Sequence, residues 1–180
     1  MNLEDLISTK ERVKILQTVI YKTGKIGVSQ LSRDLKVSKG LVSGYFRILV
    51  RLGVMKRVGR SFEISESIKL KSVRLFMNFW GMDKSFFEEY EFVKGVGVYG
   101  SVAKGENTED SDIDMWLLVS QSSHENLAKL TSELRRELGN INPIYLTEEK
   151  IRLLRKEDAS FYYSLAFGSI LIYGKNIQEV

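Results

Sequence analysis

With 180 residues, 43% of them hydrophobic, the chain suits one large domain or two small ones and has enough apolar content for a core, which excludes wholesale disorder. It contains no cysteine, so a disulfide scaffold and cysteine-ligated zinc are excluded, and a reducing cytoplasm is the expected compartment. The formal net charge of +4 conceals an asymmetry, since residues 1–64 carry +8 and residues 65–180 carry −4, a basic front joined to an acidic back.

The chain starts Met1-Asn2-Leu3-Glu4-Asp5, acidic and without an apolar run, so no signal peptide is expected. No window approaches the roughly eighteen apolar residues of a membrane span. Ser8-Thr9 can cap a helix over residues 11–20 whose Ile15, Leu16, Val19 and Ile20 share one face, with Gly24 as its end. Residues 29–35 read as a short second helix with Val37 in the turn. Ser38 then caps a third helix that runs to Gly53 with Val42, Phe46, Leu49 and Leu52 as its buried stripe. Residues 54–58 and 61–64, joined by Gly59-Arg60, form a predicted β-hairpin.

Three helices and a basic hairpin over residues 9–65 resemble the winged helix-turn-helix of prokaryotic regulators. The resemblance implies that the third helix reads double-stranded DNA. Ser38, Lys39, Ser43 and Arg47 lie off its apolar stripe, and Lys56, Arg57 and Arg60 lie on or near the wing. Gly40 and Gly44 are unexpected in such a helix, where each costs about 1 kcal/mol relative to Ala. They either allow close approach to a DNA backbone or mark weak base reading. The other reading is a module for protein contacts, which Tyr45 and Ile48 would suit, although a second core face accounts for them as simply.

Residues 66–80 are apolar at helical spacing, and Asp83 begins a second helical stretch to about Phe92. Phe76, Phe79, Trp80, Phe86, Phe87 and Tyr90 form a dense aromatic set. Aromatics at this spacing serve a core or a dimer interface far more often than base stacking, so this connector is expected to pack rather than float.

Residues 96–99 read as a buried strand, and Gly100-Ser101 turn it into the first turn of a helix, where free backbone N–H groups can hold phosphate. Gly100 leaves room for close approach and the Ser101 hydroxyl adds a donor. Asp112 and Asp114, at i and i+2 on the next strand, point to one face. Two carboxylates that close repel unless a hard cation such as Mg²⁺ lies between them. The Gly-Ser pair, a gap of ten residues between Ser101 and Asp112, and the Asp-x-Asp of Asp112 and Asp114 resemble the nucleotidyltransferase superfamily related to DNA polymerase beta. Ala103, Gly105 and Ser111 match its small "minimal" members. The resemblance covers about residue 93 to the C-terminus.

Further on, Ser122 and Ser123 can cap a helix to Leu138, stopped by Gly139. Residues 141–146 read as a strand, Thr147 caps a helix through Leu154, a helix spans about residues 159–167, and residues 169–173 are strand-like. His124, the only histidine, lies outside the motif and is not a metal candidate. The resemblance implies a third acidic residue on the strand after the first helix beyond Asp-x-Asp. The matching segment, Gly139-Asn140-Ile141-Asn142-Pro143-Ile144-Tyr145-Leu146, contains no Asp or Glu. Asn142 is the nearest candidate, a weak Mg²⁺ ligand that carries no charge and accepts no proton at neutral pH.

These readings predict an α+β chain of two domains: a winged helix-turn-helix over residues 1–65, a helical connector over 66–92, and a small mixed-sheet nucleotidyltransferase fold over 93–180. The expected function is Mg²⁺-dependent nucleotidyl transfer from an NTP, with ATP expected, to an unknown hydroxyl. Asp112 and Asp114 would be catalytic metal ligands, and Gly100 and Ser101 the nucleotide-binding pair. The alternative is a DNA-binding transcriptional regulator whose nucleotidyltransferase-fold domain is weak or inactive and serves nucleotide sensing, dimerisation or antitoxin-like partner binding. Expected partners are double-stranded DNA, the nucleotide, a second copy in a homodimer and a helical protein; no membrane is expected.

Overall fold

A computed structural model describes residues 4–180; residues 1–3, the start of the acidic N-terminal stretch, lie outside the described residues. The chain divides into two units, Met1–Met77 with Asn107–Asp110, and Asn78–Glu106 with Ser111–Val180.

The first unit begins with a single turn of helix, α1 (Glu4–Ile7), followed by α2 (Lys10–Val19), α3 (Val28–Leu35) and α4 (Lys39–Leu52). Thr9 caps α2, its hydroxyl accepting from the Arg12 N–H at 3.2 Å. Ser38 caps α4 through the Leu41 N–H at 3.1 Å, and Gly53 ends it in the left-handed conformation (φ 74°). Between α3 and α4 the turn is made by Lys36, a non-glycine residue at φ 56°. Strands β1 (Met55–Val58) and β2 (Ser61–Ile64) pair antiparallel from Met55↔Ile64 to Val58↔Ser61, with Gly59 at φ 62° between them. Ile26 adds an antiparallel bridge to Phe62, and Phe62 meets Phe46 edge-on at 4.9 Å.

Ile15, Leu16, Val19, Ile20, Val42, Phe46 and Leu49 form the core of this unit. Tyr45 joins them. It is fully buried and donates its hydroxyl proton to the Leu6 carbonyl at 2.7 Å, so it belongs to a second core face and not to an interface. That bond also accounts for α1, which residue pattern did not predict: four residues cannot sustain a helix unaided, and a tertiary contact holds this turn. Helix α5 (Ile68–Trp80) supplies Leu70 to the same core. Arg74 of α5 is 1% exposed; its Nε donates to the Ile20 carbonyl at 2.8 Å and its Nη1 to Glu66 at 3.2 Å. The segment 107–110 is tied to the turn after α2. Glu109 accepts from Lys22, and from the Thr23 N–H and hydroxyl at 3.2 Å each, while its own N–H donates to the Tyr21 carbonyl at 2.9 Å.

The second unit holds α6 (Ser85–Glu88), β3 (Val93–Tyr99), α7 (Gly100–Lys104), β4 (Ile113–Val119), α8 (His124–Leu138), β5 (Ile141–Leu146), α9 (Glu148–Glu157), α10 (Ala159–Gly168), β6 (Ile170–Gly174) and a closing 3₁₀ turn, Ile177–Glu179. The four-stranded sheet has the order β5-β4-β3-β6; β4 and β5 are parallel and the other pairs antiparallel. β4 shows why the sheet is covered on both faces. Met115, Leu117 and Val119 enter a core with Leu130 and Leu134 of α8, whereas Trp116 and Leu118 enter another with Ile151 of α9 and Tyr162 and Leu165 of α10. Gly97 lies beneath the Trp116 ring, where a Cβ would stand 2.5 Å from it, and the indole N–H donates to Ser169 at 3.0 Å. Pro143 sits in β5, an edge strand, where a missing N–H is tolerated.

The helix expected from Asp83 to Phe92 is shorter. α6 stops at Glu88, because the Phe92 carbonyl accepts from Ser120 just beyond β4 at 2.8 Å and extends the chain into β3. Of the aromatic set, Phe87 is buried, Phe86 packs edge-on against it at 5.2 Å, and Phe76 and Trp80 are exposed. No helix among the described residues is long and apolar enough to cross a membrane.

Candidate functional site

The apolar run of β3 ends at Tyr99, and the chain turns into α7 through Gly100, at φ 70°. Two constraints require glycine there. A side chain is strained at that φ, and a Cβ would collide with Asp114 Oδ2. The collision arises because Tyr99 pairs directly with Asp114 across the antiparallel β3–β4 ladder. The Gly-Ser turn and the Asp-x-Asp strand, separate in sequence, therefore meet at one end of the sheet. Ser101 stands in the first turn of α7, and its carbonyl accepts from the Glu106 N–H at 2.9 Å.

The third strand completes the arrangement. Parallel register places Asn142 of β5 beside Asp114, and Asn142 Nδ2 donates to Asp114 Oδ1 at 3.0 Å. Just before the strands, Asn140 Nδ2 donates to Asp112 Oδ1, and the Ile113 N–H donates to the Asn140 carbonyl at 2.9 Å. Of the predicted residues, Gly100 and Asn142 thus each meet Asp114, while Asp112 is bonded by Asn140. Asn140 was missed. The signal was present in its two-residue spacing from Asn142, which repeats that of Asp112 and Asp114, but it becomes legible only once the two strands are known to be parallel and in register.

Tyr99 also borders the site. Its ring meets Phe161 of α10 edge-on at 6.4 Å, and partial burial, reinforced by the Asp114 charge, raises its phenol above the usual tyrosine range. Among the described residues no group of three or more His, Cys, Asp or Glu side chains is placed to hold a metal. Two carboxylates with a neighbouring amide suit one Mg²⁺ that takes its remaining oxygens from phosphate and water. They do not supply a third charge or a proton acceptor on β5.

In the first unit, Ser38 is committed to capping α4. Lys39 and Arg47 are exposed on that helix and Ser43 is half-buried, away from buried Val42, Tyr45, Phe46 and Leu49. In the hairpin, Lys56 pairs with Glu63 across the strands at 3.5 Å, Arg57 Nε donates to the Gly59 carbonyl at 3.1 Å, and Arg60 is exposed at the turn.

The family profile described as "Polymerase beta, Nucleotidyltransferase" matches residues 84–178, more than half of the chain, a span that includes Gly100, Ser101, Asp112, Asp114 and Asn142. The chain belongs to this nucleotidyltransferase family. Among solved structures, a mutant of the toxin–antitoxin MntA-HpeT matches with a TM-score of 0.38 and 13% identity, covering 51% of this chain and 69% of that one. A proposed nucleotidyltransferase from Sulfolobus solfataricus matches with a TM-score of 0.37 and 16% identity over 62% of this chain and 90% of its own. A toxin–antitoxin solved with AMP-PNP matches at 0.36 and 13%, over 61% and 75%. No curated protein matches the chain. The small mixed sheet is that of a nucleotidyltransferase-fold domain.

Proposed function

We propose that the chain binds a Mg²⁺-NTP complex, ATP being the expected nucleotide, at Gly100, Ser101, Asp112 and Asp114, and transfers its nucleotidyl group to a hydroxyl acceptor. In the same reading residues 1–65 form a winged helix-turn-helix that binds double-stranded DNA, and residues 93–180 form the transferase domain. The observation that carries the site is the contact of Gly100 with the Asp114 carboxylate, which sets a phosphate-holding turn against a metal-holding side chain. Backbone N–H groups opening α7 and the Ser101 hydroxyl would face the phosphates, and Asp112 and Asp114 would supply hard oxygens. Bound Mg²⁺ supplies charge neutralisation and orientation of the triphosphate. Tyr99, next to Gly100, is half-buried at the end of β3.

A second reading is favoured by Asn142. The strand position beside Asp114 carries an amide, which cannot take the proton of an attacking hydroxyl. A regulator in which the nucleotidyltransferase-fold domain senses nucleotide, or presents a surface to a second copy or a helical protein, needs no such base. Support for its DNA-binding half comes from the order of α2, α3, α4 and the basic hairpin, and from the +8 charge of residues 1–64.

Calorimetric titration of each NTP with Mg²⁺ tests the site, comparing wild type with the Asp112→Ala/Asp114→Ala double variant. Binding by wild type that the variant loses is expected. Equal binding by both would remove the two aspartates from the site. Label transfer to a nucleic-acid, protein or small-molecule pool then separates the transferase from the sensor.

A further inference from the structure

The carboxylate pair of this site is matched, residue for residue, by an amide pair, Asn142 on the neighbouring strand and Asn140 just before it. Parallel pairing sets Asp114 beside Asn142, and the register continues past the strand start, where the Ile113 N–H bonds the Asn140 carbonyl at 2.9 Å. Side chains at equal height on parallel neighbours leave the same face of the sheet. Each amide accordingly meets one carboxylate: Asn142 Nδ2 donates to Asp114 Oδ1 at 3.0 Å, and Asn140 Nδ2 donates to Asp112 Oδ1. The other oxygen of Asp114 faces Gly100.

Two aspartates at i and i+2 repel when no cation lies between them. Here each carries an N–H dipole aimed at its charge, so the pair is held assembled without one. A bare cation entering this site finds two charges only, and an oxygen of each is already engaged by an amide. Mg²⁺ dehydrates reluctantly and prefers carboxylates combined with substrate phosphates. The triphosphate supplies the missing charge and oxygens.

We infer that Asn140 and Asn142 are positioning residues that keep Asp112 and Asp114 assembled in the cation-free state and make cation binding conditional on nucleotide. The inference rests on the reading of this site as a nucleotide site. It assigns a role to Asn140 and turns the absence of a third carboxylate into a property: the site does not store metal, and it loads cation and nucleotide together. Replacing an amide by the isosteric carboxylate removes an N–H donor and adds a charge, so Asn→Asp variants gain affinity for the bare cation.

The test is a titration of the full chain with Mn²⁺, following the free-ion electron paramagnetic resonance signal, with and without a non-hydrolysable ATP analogue. For wild type, the analogue is expected to tighten Mn²⁺ binding by about tenfold or more; for Asn142→Asp and for Asn140→Asp/Asn142→Asp, Mn²⁺ alone is expected to bind about tenfold more tightly than to wild type. Circular dichroism checks that the variants fold, and the wild-type comparison together with the single variant decides the matter should the double variant not fold. Wild type that holds Mn²⁺ equally well with and without the analogue overturns the inference. Asparagine variants with unchanged Mn²⁺ affinity, in a protein whose wild type still binds the Mn²⁺–analogue pair, overturn it alone and leave the nucleotide reading standing. Wild type that takes up neither analogue nor Mn²⁺ in its presence overturns both.

Discussion

Gly100 is the residue on which the site turns. Its positive φ and the collision that any Cβ would make with Asp114 Oδ2 act together, so a methyl group there strains the backbone and displaces the Asp114 carboxylate at once. Gly100→Ala is expected to destabilise the protein by more than about 1 kcal/mol in urea unfolding, and to abolish Mg²⁺-dependent nucleotide binding in calorimetry even under conditions where the variant stays folded. Unchanged binding would show that the Gly-Ser turn and Asp114 do not act as one site. Asp114 could be picked out from sequence because a two-residue spacing of carboxylates is a local pattern. Asn140 could not, since its partner Asp112 is remote in sequence and their meeting depends on which edge of β4 receives β5. Arg74 was equally hidden: a basic residue in an apolar helix reads as solvated, and only the fold shows it buried against the Ile20 carbonyl.

At the scale of elements, boundaries marked by caps were legible and those set by tertiary contact were not. Ser38 and Gly53 bracket α4 as predicted, Ser123 opens α8, Thr147 opens α9, and β5 spans the predicted 141–146, since each boundary depends on its own residues. α1 and the shortened α6 depend on distant partners, the Tyr45 hydroxyl and the Ser120 N–H. Helix α4 offers a test of its proposed role. A Cβ at Gly40 or Gly44 meets nothing closer than 4.0 Å, so within the fold both positions accept Ala. Gly40→Ala/Gly44→Ala should raise stability by up to about 1 kcal/mol per site in chemical denaturation. If the helix is pressed against a DNA backbone, the same pair should weaken binding in fluorescence anisotropy, so stability and affinity move in opposite directions. Raised stability with unaltered affinity would place the DNA elsewhere. The contrasting control is Ser38→Ala, which removes the cap and is expected to cost about 1 kcal/mol.

Across the whole molecule, charge divides the chain into a basic front and an acidic back, so any DNA binding should be strongly salt-dependent. The triple variant Lys39→Ala, Arg47→Ala and Arg60→Ala should lower affinity across sequences and reduce the slope of log K against log salt by roughly 0.9 for each phosphate no longer neutralised. A slope unchanged from wild type would remove these cations from the interface. The first unit also carries a pH signature through its discontinuous segment. The hydrogen bond from Lys22, with that from the Thr23 N–H, holds the Glu109 carboxyl below the usual carboxylate range, while Glu109 raises the Lys22 ammonium above its own. The depressed carboxyl contributes stability above its unfolded pKa and loses it as pH falls. The raised ammonium contributes below its unfolded pKa and loses it as pH rises. Glu109→Gln should therefore lower Tm near neutral pH and converge with wild type as pH falls below the ordinary carboxylate range, read by thermal melts across pH. A difference independent of pH would mean that packing, not charge, fixes this segment. That residues 107–110 belong with the first unit was not legible in the sequence, because they lie between the two halves of the nucleotidyltransferase motif.

Pro143, tolerated because β5 is an edge strand, has a consequence on the timescale of chemical ageing. Asparagine turns spontaneously into aspartate chiefly through attack of the following residue's backbone nitrogen on the side-chain amide, and a proline nitrogen has no proton to give up. Asn142 precedes Pro143 and is closed to that route, whereas Asn140 precedes Ile141 and retains the nitrogen, crowded by a branched side chain. The amide beside Asp114 is thus shielded by its own neighbour from the chief route by which an asparagine acquires a charge.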